Sequence, residues 1–229
     1  MNKRWLFILL LLSTVAFART LAEAPNLQVH DVKKALKDSI PVYQGVNVKL
    51  DLAMPIIEAA RSAGKIQDYE VAINVRLKNR FYPTLELGYA LAECGADGAQ
   101  YKGQGGFARL GMDLAIVKKG RTESNMLVGV RFGGAYQNYD LTNVYVQTDY
   151  WQSHPLDFYR QTRFDCWGEV VVGCQVYLWK GLHMGWFGRI KLLMTNDAKE
   201  GNVAPYYVPG LGFRNDFNWG INYYIGYRF

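Results

Sequence analysis

The last thirteen residues, Phe217 to Phe229, place an aromatic or aliphatic side chain at every odd position and a polar or small one at most even positions. A strand turns successive side chains to opposite faces, so Phe217, Trp219, Ile221, Tyr223, Ile225, Tyr227 and Phe229 make one apolar face. The other face carries Asn218, Gly220, Asn222, Tyr224, Gly226 and Arg228. An apolar face with aromatics at both ends is the pattern of a β-strand that crosses a bilayer.

The N-terminus agrees with export. Lys3 and Arg4 precede an apolar run from Trp5 to Phe17, and Ala16-Phe17-Ala18 is a small-x-small cleavage pattern. Residues 1–18 are therefore expected to be a signal peptide, because the run falls short of the roughly 20 apolar residues that span a bilayer. No later stretch is apolar enough for a membrane helix. The net charge of +6, less Lys3 and Arg4, leaves +4 for the rest of the chain. These cations are scattered through alternating segments, with no patch or arm for nucleic acid.

Seven further segments alternate in the same way. Val46 to Met54 sets Val46, Val48, Leu50 and Leu52 against Asn47, Lys49 and Asp51, and Tyr69 to Lys78 sets Val71, Ile73 and Val75 against Glu70, Asn74, Arg76 and Lys78. The others run at about 84–91, 108–116, 126–133, 169–178 and 183–192. Links at about 79–83, 118–124 and 180–182 are short; those at about 55–67, 92–105, 137–165 and 195–212 are long. Short periplasmic turns alternating with long external loops predict an all-β fold: an eight-stranded antiparallel transmembrane β-barrel over 45–229, with both termini in the periplasm. A soluble sandwich or lipocalin-like barrel would hide its apolar face, and here the face opposite the apolar one carries the charges.

In this pattern the chain resembles the small eight-stranded outer-membrane barrels, and in detail an uncharacterised barrel family of Bacteroidota. The resemblance covers Val46 to Phe229 and rests on the strand pattern, on Gly45-Val-Asn-Val-Lys-Leu-Asp and on the ending Tyr-Ile-Gly-Tyr-Arg-Phe. It implies fold and an outer-membrane location, with outer-membrane lipid as a neighbour. It does not choose among the adhesion, anchoring, lipid-modifying and assembly roles found in that class.

An eight-stranded barrel is just wide enough for its own side chains. The inward set includes Lys49, Arg76, Lys78, Arg109, Arg131, Arg189, Lys191 and Arg228 with Asp51, Glu70, Glu86, Asp113 and Glu169. Buried charges must pair, so these residues are expected to form a salt-bridge network that holds the lumen closed. The competing reading is a narrow, anion-favouring channel or a proton path.

Chemistry-bearing groups are sparse. In the third long link His154 stands beside Ser153, with Asp149 and Asp157 near, the residue types of a hydrolytic or lipid-modifying site. His183 is expected to be a lumen partner. Cys94 and Cys166 would emerge on the external side, where a disulfide could join them, while Cys174 faces lipid. The three cysteines lack metal-ligand spacing, Gly103-Gln-Gly-Gly106 lacks the helix of a phosphate loop, and no cofactor is indicated. The extension 19–44 has weak helical spacing from Val29 to Ile40 and is expected to be a periplasmic tether or a short helix. Tyr136, Tyr139, Tyr145, Tyr150, Trp151, Phe158 and Tyr159 make the third link aromatic enough to bind a partner. The expected function is therefore non-enzymatic: a structural or accessory interaction subunit of a larger outer-membrane assembly, such as an envelope-building or export machine.

Overall fold

The structure, a computed structural model, describes residues 41–53, 65–78, 80–96, 98–116, 124–145, 155–195 and 203–229. The strands are β1 Tyr43–Asp51, β2 Lys65–Leu77, β3 Phe81–Ala96, β4 Ala99–Ala115, β5 Asn125–Tyr145, β6 Pro155–Trp179, β7 Leu182–Leu193, β8 Tyr207–Val208, β9 Gly212–Phe213 and β10 Phe217–Arg228. All except β8 and β9 form one antiparallel sheet in which chain neighbours pair and β1 joins β10 to close the ring. At that seam the Val46 N–H donates to the Phe229 carbonyl at 3.3 Å and the Phe229 N–H to the Val46 carbonyl at 2.9 Å. The expected signal peptide and residues 19–40 of the extension lie outside the described residues.

The period-two pattern decides which face turns inward. Asn47, Lys49, Glu70, Asn74, Glu86, Arg109, Asp113, Arg131, Glu169 and Arg189 are buried inside the ring, whereas Leu50, Ile73, Leu87, Leu110, Val130, Val172, Ile190 and Ile221 are exposed on its outer wall. Inward glycines sit directly across from inward aromatics: Gly88 faces Phe107, Gly133 faces Trp167, Gly173 faces Phe187 and Gly185 faces Tyr224. At Gly88, Gly133 and Gly173 a Cβ would overlap the facing ring, so the missing side chain lets each ring fold across the narrow lumen.

Two expectations need correction. The links at 92–105 and 137–165 are not long loops. β3 and β4 continue in register to the pair Ala96 and Ala99, and β5 and β6 to Tyr145 and Pro155. Gly103-Gln-Gly-Gly106 is accordingly part of β4. Gly98, next to the paired Ala96 and Ala99, has the positive φ (86°) that a tight hairpin turn favours. Lys78 is also misplaced by the alternation: it sits exposed at the β2–β3 turn with φ 46° and does not face the lumen.

Candidate functional site

Strand pairing brings three arginines and four carboxylates to one level of the lumen. Arg109 meets Glu70 at 2.7 Å, Glu86 at 2.8 Å and Glu169 at 3.0 Å; Arg189 meets Glu86 at 2.7 Å and both Glu70 and Glu169 at 3.1 Å. Arg131 meets Asp113 at 2.8 Å and Glu86 at 3.0 Å. Glu86 thus touches all three guanidiniums and is the hub. The planar five-donor fork of arginine serves several carboxylates at once, as a lysine could not.

Between this hub and the short-turn end, aromatic and amide side chains fill the ring. Phe187 stacks on Tyr224, and the Lys49 ammonium lies 4.4 Å from the Tyr224 ring centre and 5.1 Å from that of Phe187. The Asn47 amide donates to Asn74 at 2.7 Å, and the His183 side chain is buried nearby. A void of about 20 Å³ beside the hub has room for about one water.

The long-link end is stoppered by residues 203–213, the segment holding β8 and β9. Val208 and Leu211 are buried against Phe107, Ala135 and Trp167. Arg109 donates to the Gly210 carbonyl at 2.9 Å, and the Lys191 ammonium donates to the Gly210 carbonyl at 2.6 Å and the Leu211 carbonyl at 3.3 Å. Above them the Tyr101 hydroxyl donates to the Tyr207 carbonyl at 2.9 Å, and the Tyr139 hydroxyl to the Val203 carbonyl. Burial pushes the Tyr101 and Tyr207 phenols above the usual tyrosine range, so both stay neutral and Tyr101 keeps its proton to donate. Asp165, paired with Arg163 at 3.1 Å and Arg214 at 3.4 Å, ties the stopper to β6.

The residues singled out from sequence therefore separate. Glu70, Glu86, Arg109, Asp113, Arg131, Glu169 and Arg189 form the hub, while Lys191 holds the stopper. Asp51 accepts from the Asn222 amide, and Arg228 donates to Asn47 at 3.2 Å. Arg76 makes no ion pair with a described residue. Of the aromatic set, Tyr139 is buried inside the ring, Phe158 packs beside it, and Tyr136 and Tyr159 are exposed on strands rather than on a loop. Tyr145 closes β5. Tyr150, Trp151, Ser153 and His154 lie outside the described residues.

The candidate disulfide is not formed: Cys94 and Cys166 are free thiols. Cys94 faces inward among Tyr101, Tyr139 and their neighbours, whereas Cys166 takes the outward parity of β6, and β4 and β5 stand between them. No geometry of the closed ring brings the two sulfurs together. Among the described residues no His, Cys, Asp and Glu cluster could hold a metal, since the hub carboxylates are already turned onto guanidiniums.

A family described as a domain of unknown function, DUF6048, matches residues 3–229. The chain belongs to the DUF6048 family. No curated protein matches it. What sequence reasoning missed in this DUF6048 chain is the stopper, together with Asp165 and Trp167, whose indole donates to Glu169 at 2.6 Å. Pro209-Gly210 was a readable turn signal, but nothing in the residue types announced that the turn enters the ring.

Proposed function

We propose that the chain is an outer-membrane β-barrel, exported by its signal peptide, that carries out no catalysis of its own and serves as an interaction subunit of a larger outer-membrane assembly. The observation that carries this reading is the filled interior. Hub, aromatic layer and stopper occupy the lumen from end to end, so function falls to the outer wall and to the strands prolonged beyond it. The inside-out distribution of side chains supports the membrane placement: a charged interior behind a continuous apolar wall is stable where lipid covers the wall. On this reading the short turns, the start of β1 and the end of β10 face the periplasm, and the long β3–β6 wall reaches beyond the outer face. It is this wall, with Leu156 and Tyr159 exposed, that offers a partner apolar anchors.

The test is purification of the tagged protein from its own membrane in mild detergent, with mass spectrometry of everything that elutes at fixed ratio. Reproducible stoichiometric partners are expected. A barrel that elutes alone under several mild detergents would overturn the subunit reading.

A further inference from the structure

The outer face of the prolonged wall is organised in transverse rows. Strand register aligns Tyr69, Tyr89, Gly106, Tyr136 and Phe164 across β2 to β6, and the four aromatic members are exposed. Two residues further toward the long-link end, roughly 7 Å along the strands, the same register aligns Gln67, Leu91, Gln104, Asn138 and Thr162. Beyond that the register aligns Lys65, Glu93, Lys102 and Asp140, with Arg160 beside them where the β5–β6 register shifts, and residues of these upper two rows line a cleft of about 610 Å³.

The chemistry of the rows defines an occupant. Glu93 pairs with Lys102 at 2.7 Å, the Arg160 backbone N–H donates to Asp140 at 2.7 Å, and these four formal charges lining the cleft sum to zero. These four give a phosphate or polyanion no net attraction. The amides of Gln67, Gln104 and Asn138 and the Thr162 hydroxyl each donate and accept, which is what vicinal sugar hydroxyls require. Thr162 already donates to Asn138 at 2.8 Å, fixing the amide that faces the cleft. Directly below, the aromatic row matches the belt that barrels place at the bilayer interface, so the cleft opens at the height of lipid headgroups. Gly106 leaves a notch in that belt, where a Cβ would meet only the Gly88 carbonyl oxygen, at 3.8 Å.

We propose that this cleft binds the neutral sugars of a glycolipid in the outer leaflet. The inference rests on the membrane placement proposed above, and it names a ligand for the prolonged wall.

The experiment uses the full barrel in a sugar-free detergent such as lauryldimethylamine oxide. Binding of three probes is followed by native mass spectrometry: a neutral dihexosyl diacylglycerol, the same diacylglycerol without sugars, and the free disaccharide. Wild type is expected to bind the dihexosyl diacylglycerol at least tenfold more tightly than the sugar-free lipid. Asn138→Trp, which fills the cleft, and the Gln104→Ala/Asn138→Ala pair, which removes its amides, should both lose that preference. These positions are exposed, and circular dichroism checks that each variant keeps its sheet. Equal binding of the glycosylated and the sugar-free lipid, or an undiminished preference in both variants, would overturn the sugar site. Free disaccharide binding as tightly as the glycolipid would overturn the lipid-borne source. Density-gradient fractionation of the cells separates the two readings: absence from the outer-membrane fraction sinks the membrane placement and this inference together, whereas presence there without sugar preference sinks this inference alone.

Discussion

Glu86 concentrates the lumen's electrostatics in one side chain. It lies within 3.0 Å of Arg109, Arg131 and Arg189, with about 1% of its surface exposed. Replacing Glu86 by Gln keeps the shape and removes the charge, leaving three guanidiniums to share the remaining carboxylates. Removing one member of a buried pair costs about 3–5 kcal/mol, so Glu86→Gln should lower the unfolding free energy read from a denaturant titration by that amount, whereas Arg76→Gln should leave it nearly unchanged. The stopper has its own residue-scale signature. An unfolded tyrosine ionises near pH 10, while burial holds Tyr101 and Tyr207 neutral beyond that value. Their contribution is complete below about pH 10 and falls as pH rises toward the folded values, because only the displaced chain can ionise there. Limited proteolysis should therefore cut within 203–213 above about pH 10 in wild type. In Tyr101→Phe, which loses the bond to the Tyr207 carbonyl, cutting should begin at lower pH.

Among elements, the pairing of inward glycines with inward aromatics sets how the ring is filled. Gly133→Ala would push a methyl group into the Trp167 ring and is expected to cost about 1–3 kcal/mol. Adding Trp167→Leu should recover part of that loss, a coupling that a double-mutant cycle of unfolding free energies measures. The eight ring strands were legible because the outer wall and the lumen make such different demands that period two survives in every one of them. Beyond the aromatic row that contrast disappears: at Ala92, Glu93, Cys94, Gly95 and Ala96, or at Gln137 to Asp140, both faces are small or polar, and the sequence reads as loop although pairing continues. The hub was legible as a set of inward charges, yet its membership was not, since alternation places Arg76 and Arg228 beside Arg109 without telling which reach Glu86. The stopper escaped because its bonds end on the carbonyls of Val203, Tyr207, Gly210 and Leu211, groups that every residue has.

For the whole molecule, hub and stopper close the lumen in series. Planar-bilayer recordings of wild type should be silent, and so should a variant in which 203–213 is replaced by a short Gly-Ser link, because the hub remains. Conductance in that variant would mean that the stopper alone forms the barrier. Shortening the β5–β6 hairpin by deleting 141–160 should leave the ring folded and remove co-purifying partners, which the same affinity purification reads out. The hub also answers a question that the apolar wall leaves open. If one strand slides past its neighbour by two residues, every greasy side chain still points outward and every polar one still points inward. Hydrophobicity is blind to that error, and eight strands offer many chances to make it. The ion pairs are not blind to it: with Glu86 displaced by one inward position, about 7 Å, its guanidiniums lose their common partner inside a space that admits almost no water. The lumen charges thus work as a combination lock on strand alignment, and through it on the circumference and tilt at which the ring closes.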